Sequence, residues 1–222
     1  MYQQMLKHHR STHFGKSWRN AVKNNKIISQ ACSYPDSELE RHSIACGLNL
    51  IESTNVLSGL PDRMKNSIRS IIEYVTINTD VARSKNNLER FKFVCLNQKC
   101  VDLSNVKCRK VILSMALECA DLGNAGRPFY LYEQWIRRIM SEFAAQGLKE
   151  IDLGLKPTSK FHVQHNMEPA LIAESQLLFI DHIVLPKFKA LKGFLPDTTP
   201  IYNQILKNKD HFLCKTFNQN DK

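Results

Sequence analysis

Apolar positions recur every three or four residues along most of this chain and almost nowhere every two, so the elements it predicts are helices. The first begins at Ser37, which with Glu40 three residues on has the form of a capping box. Ile44, Ala45, Leu48 and Ile51 follow at i, i+1, i+4 and i+7. Ser58, Gly59 and Pro61 interrupt the pattern. Pro61 suits a first helical turn and heads a second helix to about Asn78, with Met64, Ile68, Ile71, Ile72 and Val75 as its expected buried stripe. Thr79, Asp80, Val81 and Ala82 bend the chain or lead into a further helix ending near Phe93. Asp102 or Ser104 caps the next helix. Its apolar positions are Val111, Ile112, Met115, Ala116 and Cys119, it delivers Asp121, and Gly123 and Gly126 end it.

A long amphipathic helix follows from about Pro128, with Tyr132, Trp135, Ile136, Ile139, Met140 and Phe143 on one face. Gly147 is expected to stop it. Residues 148–166 predict a short helix and a polar loop with Ser159, Lys160, His162, Gln164 and His165. The last strong helix runs from Glu168 to Leu185 and is expected to end at Pro186. From Pro196, Ile201, Ile205 and Leu206 can pack once more before the tail frays. With no hairpin signal, no internal repeat and no sustained heptad run, the fold class is all-α, an irregular compact multi-helix domain. The expected division is a basic N-terminal segment over 1–33, a helical domain over 34–195 and a C-terminal helix or tail over 196–222.

Composition agrees with this reading. A chain of 222 residues, 43% hydrophobic, is long enough for one domain with a core, and only eight glycines and eight prolines leave few turns. The seven cysteines form no CxxC pair and no disulfide framework. Cys95, Cys100 and Cys108 are loosely spaced for zinc, but buried or incidental thiols are the simpler reading. The N-terminus lacks the apolar stretch of a signal peptide. The longest apolar run, Ala170 to Pro186, is broken by Glu174, Gln176, Asp181 and His182. The expectation is therefore a cytoplasmic protein with no membrane span. The net charge is +10, and residues 1–35 hold six basic residues and no acid. No zinc finger, helix-turn-helix or aromatic strand platform accompanies that charge. It reads as a solvated face and tails, not as a nucleic-acid surface, with attraction of a phosphate ligand as a milder use.

The chemistry concentrates between Ser114 and Phe143. Asp121 is suited to a hard metal ion, though a single carboxylate does not hold one. Asn124 follows in the turn. Further on, Gln176 and Phe179 lie one helical turn apart, so an amide and a ring can together grip a flat polar ring. Stacking of a base on an aromatic side chain is worth on the order of 1–3 kcal/mol. Composition alone favours a blander view, with Phe179 in the core and Gln176 an ordinary amide.

Three blocks alter that balance. ECADLGNAGRPFYLYEQWIRRIMSEFAAQG resembles the C-terminal half of the class I cyclic-nucleotide phosphodiesterase catalytic domain. SQLLFIDHIVLP is similar to that family's glutamine-bearing helix. LERHSIA, followed by NVLSGLPDRMKNSIRSIIEYVTINTDVARS, resembles the segment before them. The blocks occur in the family's order over about residues 34 to 190. The resemblance implies the all-α phosphodiesterase catalytic fold, hydrolysis of 3′,5′-cyclic AMP or GMP to the 5′-monophosphate, and two divalent ions (zinc with magnesium or manganese) holding a bridging hydroxide. It implies Asp121 as a metal ligand, with Glu40 and the Thr79–Asp80 pair beside the metals. Gln176 would read the purine edge between Phe179 and Ile139, while Asn124, Tyr132, Trp135 and Met140 would line the pocket. The implied partner is the cyclic nucleotide; a homo- or hetero-dimer is left open.

The chain also departs from the family pattern. It has no HNxxH element. The nearest stretch to the family's His-Asp and HPG elements is His9-Arg10-Ser11-Thr12-His13-Phe14-Gly15, with Arg10 at the aspartate position and Phe14 at the proline position. A paired histidine becomes His42-Ser43, and Val81 replaces a methionine. Two adjacent dications need several anionic or imidazole ligands. The expectation is a truncated or diverged member that keeps the base-binding half of the pocket, carries no identified general-acid histidine and does not hydrolyse cyclic nucleotides on its own. The alternative function is a non-catalytic nucleotide-binding or subunit-interaction module.

Overall fold

A computed structural model describes residues 37–97, 101–152, 154 and 168–217. The helices are α1 (Glu38–Ser53), α2 (Asp62–Ile77), α3 (Val81–Cys95), α4 (Val106–Asp121), α5 (Phe129–Asp152), α6 (Pro169–Phe179), α7 (Leu185–Phe194) and α8 (Thr199–Phe217). No strand occurs among the described residues. The chain divides into two compact units, one holding 37–90 and 101–118, the other 91–97 and 119–217.

In the first unit α1 packs on α2, yet neither helix buries an apolar side chain. The expected stripe of α2 is only half-buried at Ile68, Ile71, Ile72 and Val75, and Met64 is 50% exposed. Among the described residues, what this unit buries is mainly polar: Ser37, Glu40, Asn78, Asp80, Ser84, Asn87, Ser114 and Glu118 accompany only Leu88, Val111 and Met115. Buried polar groups require partners. Asn87 Nδ2 donates to Glu118 Oε2 at 2.8 Å. The capping box does not form. Ser37 is left-handed, with φ 56°, and makes no side-chain cap. Its hydroxyl instead donates to Asp80 Oδ2 at 2.5 Å and accepts from Arg83 Nε at 3.3 Å. A long-range carboxylate has outcompeted the local amide.

The cap of α4 also differs from expectation. Asn105 takes the amide of Lys107 on its Oδ1 at 2.9 Å. Asp102 is engaged one turn earlier, where the Ser104 hydroxyl and amide hold its carboxyl below the usual carboxylate range.

In the second unit, Pro128 heads α5 by accepting from the amides of Leu131 and Tyr132. Gly147 does not stop the helix. It is buried on the same face as Phe143, Ala144 and Glu150, so its small size serves packing, and the helix runs on to Asp152. Pro186 likewise ends nothing. The turn before it widens into a π-segment, Ile180–Val184, and α7 follows with Pro186 in its first turn. A proline lacks an amide donor, and a widened turn absorbs the mismatch. Lys187, itself buried, donates its ammonium to the Ile183 carbonyl at 2.8 Å.

The resulting helix, Pro169–Phe194, is long and apolar enough by composition to cross a membrane. Ala173, Phe179, Ile180, Ile183, Val184, Phe188 and Leu191 of this helix are buried, and Leu178 is exposed. The C-terminal stretch is no frayed tail: α8 packs on α6, α7 and the turn after Asp121. It buries Ile205, Asn208 and Phe212, whereas Ile201 is 43% exposed.

Candidate nucleotide-base site

The apolar period of α4 ends at Cys119, and its last residue, Asp121, is exposed. Leu122 is buried immediately after it and anchors a 3₁₀ turn, Gly123–Gly126. Asn124 sits in this turn with both amide atoms sealed from solvent and, among the described residues, no hydrogen-bond partner. A buried amide with no partner costs free energy unless a ligand completes it.

The other half of the site comes from α5 and α6. Tyr132 is fully buried, and Ile139 and Met140 are buried about two turns further on the same face of α5. On α6, Gln176 is 3% exposed, and Phe179 is buried one turn later. The Tyr132 hydroxyl donates to Gln176 Oε1 at 2.9 Å, joining positions 44 residues apart. Burial pushes the Tyr132 phenol above its ordinary pKa, so it remains a neutral donor. Phe212 meets the Tyr132 ring edge-on at 5.9 Å and the Phe129 ring at 5.4 Å, and His211 stacks on Phe129 at 4.3 Å. Trp135 departs from expectation: it is 47% exposed, with the Arg138 guanidinium 5.4 Å from its ring centre.

The residues expected beside the metals lie in the first unit. Glu40 is buried in α1. Asp80 is buried too, accepting from Ser37 and, on Oδ1, from the Ala82 amide at 2.9 Å. Thr79 turns its hydroxyl to the Thr76 carbonyl at 2.8 Å. Among the described residues, no group of three or more His, Cys, Asp and Glu could hold a metal ion. The described residues therefore do not fit a two-metal centre. His9, Arg10 and His13 lie outside them, as do Cys100 and the loop with His162 and His165. The first unit also has a cleft of about 590 Å³, lined among others by Arg41, Leu48, Tyr74, Arg83 and Lys110, none of them a predicted base-site residue.

Sequence reasoning missed one participant. Asn208 of α8 is fully buried, and its Nδ2 donates to the carbonyls of Ala125 and Arg127 at 2.8 and 2.7 Å. Nothing in the polar period of the tail marks it.

A family model for 3′5′-cyclic nucleotide phosphodiesterase matches residues 8–205. The chain belongs to that family. The match takes in the basic segment from residue 8 and the first two turns of α8, as far as Ile205. Rat 3′,5′-cyclic-AMP phosphodiesterase 4C is 29% identical over 215 residues, covering 92% of this chain and 39% of the rat protein. Isoform F of the Drosophila melanogaster 3′,5′-cyclic-AMP phosphodiesterase is 28% identical, covering 85% of this chain and 29% of its own length. The chain thus spans well under half of these relatives. The phosphodiesterase domain of Salpingoeca rosetta rhodopsin phosphodiesterase shares the fold, with a TM-score of 0.80 and 22% identity over 91% of this chain and 62% of that one.

Proposed function

We propose that this protein binds 3′,5′-cyclic AMP as a phosphodiesterase, with the base read by Gln176. The observation that carries this is the buried Tyr132–Gln176 hydrogen bond. Adenine offers one donor, its exocyclic amine, and one acceptor, N1, on the edge it would turn to an amide. With the phenol on one lone pair of Gln176 Oε1, the other lone pair takes the amine proton and Nε2 donates to N1. A held amide suits one purine edge, where a free one would suit two. Phe179 and Ile139 would cover the two faces of the base, and Asn124 would gain the partner it lacks. The relatives named for cyclic AMP point to the same base.

Family membership implies divalent ions for cleavage of the 3′ ester, and Asp121 is the ligand this chain would contribute. The described residues supply no complete site, so turnover needs ligands from outside them. A second reading, a non-catalytic nucleotide-binding or subunit-pairing module, is favoured by Arg10, which puts a cation where the family motif has an aspartate.

The test is hydrolysis of labelled cyclic AMP and cyclic GMP with Mg²⁺, Mn²⁺ or Zn²⁺, beside calorimetric titration. Wild type is run with Asp121→Ala and Gln176→Ala. Binding of cyclic AMP that Gln176→Ala weakens supports the base site. Turnover lost in Asp121→Ala assigns the enzyme, and binding without turnover assigns the module. No binding of either nucleotide sinks the base site and leaves only the subunit-pairing form of the second reading.

A further inference from the structure

We propose that Asn208 is a positioning residue, holding the Asn124 turn in the shape that receives the nucleotide. This rests on the base-site reading. The turn has little to hold it otherwise. It is four residues of 3₁₀ helix, with Ala125 bonding back to Leu122 and Arg127 to Asn124. A turn so short, with poor hydrogen-bond geometry, does not fix a side chain by itself.

Asn208 supplies the constraint from α8, 83 residues away in sequence. Its two amide protons go to the carbonyls on either side of Gly126, at 2.8 and 2.7 Å. Its Oδ1 accepts from Gln204 Nε2 at 3.0 Å, one turn earlier on α8, which fixes the amide's orientation. The fit is close. A Cβ built on Gly126 would come within 2.6 Å of Ile201 Cγ2 on the same helix. Glycine at this position lets α8 lie directly against the turn. Asn208 therefore touches no reacting atom but sets where Asn124 and, three residues before it, Asp121 stand.

The test compares Asn208→Ala with Leu191→Ala, a control that opens a core cavity in α7 of the same unit. Hydrogen exchange is read over residues 122–131 and over the rest of the chain, and cyclic AMP affinity is titrated at a temperature where every variant is folded. The expected result for Asn208→Ala is faster exchange centred on 122–131 and affinity weaker by about tenfold. Leu191→Ala should lower thermal stability and leave both readouts at wild-type values. Asn208→Asp provides a further check. It points a carboxylate at two carbonyl oxygens, so its affinity should recover as the pH falls and the group regains a proton to donate. Unchanged exchange over 122–131, or affinity lost equally in Leu191→Ala, overturns the role of Asn208 while leaving Gln176 in place. Wild type that binds no nucleotide overturns the base-site reading and this inference together.

Discussion

Removing one oxygen atom tests the base site most directly. Tyr132→Phe keeps the ring, its place in the core and its edge contact with Phe212. It leaves Gln176 Oε1 without its phenol donor at a site only 3% exposed. An unsatisfied buried acceptor costs about 1–3 kcal/mol. In a domain of this size each kcal/mol lowers the melting temperature by roughly 2–4 °C. The expected loss is therefore about 2 kcal/mol, or roughly 4–8 °C. Gln176→Leu removes the other partner, and the double variant removes both. If the bond is as described, the double variant costs less than the sum of the singles, by about 1–2 kcal/mol from urea midpoints. The functional consequence follows from the same atom. With the phenol gone, the amide is free to turn, and preference for cyclic AMP over cyclic GMP should collapse. A coupling of that size corresponds to roughly 5–30-fold in relative affinity. Additivity within about 0.5 kcal/mol, with unchanged nucleotide preference, would refute the reasoning.

Three further outcomes follow from the geometry. The raised pKa of Tyr132 means that above about pH 10 the unfolded chain loses a proton the folded chain keeps, so stability falls with rising pH by about 1.4 kcal/mol per pH unit. Tyr132→Phe should be shallower by that slope, and urea midpoints across this range that show equal slopes count against it. Gly126→Ala should cost about 1–3 kcal/mol through its clash with Ile201, and Ile201→Ala should recover part of the loss; a Gly126→Ala melt at the wild-type temperature contradicts the close approach. Ser37→Ala should cost about 1.5–3 kcal/mol by breaking the bond to Asp80, whereas Ser37→Gly should be milder by about 1 kcal/mol because glycine relieves the left-handed backbone. Equal losses in a chemical melt would place the cost elsewhere.

The helices were legible because burial on one side imposes a period, and the period is in the sequence. Tyr132, Ile136, Ile139, Met140 and Phe143 are buried as their spacing required. The period failed where a helix end depends on something other than burial. Gly147 looks like a stop because glycine is a poor helix former, but the penalty is only about 1 kcal/mol, and a buried position that needs no side chain offsets it. Pro186 looks like a stop because it lacks a donor, but a widened π-turn removes the demand for that donor. In α2 the period is present and the burial is not. A stripe records what a helix is suited to cover, and whether anything covers it is a property of the surroundings.

The site divides in the same way. Gln176, Phe179, Asn124 and Asp121 could be named from the chain because their families of neighbours are local and recognisable. The contacts that would make them work join positions too far apart for any spacing rule. Tyr132 reaches Gln176 across 44 residues, and Asn208 reaches Ala125 across 83. Both are polar side chains buried against polar partners, and such pairs are invisible to periodicity, which sees a polar residue only as an exception. Asn208 lies just past Ile205 and Leu206, in the stretch expected to fray. Its burial changes the sense of that polarity: an amide with no exposure and three hydrogen bonds has a structural assignment, and here the assignment is the turn carrying Asn124. The same logic applies to the first unit. Among the described residues its interior is richer in Ser, Asn, Asp and Glu than in aliphatic side chains, and each of those groups is costly to bury without a partner. The family resemblance sets Glu40 and Asp80 of that interior beside metal ions, and the proposed base site belongs to the second unit.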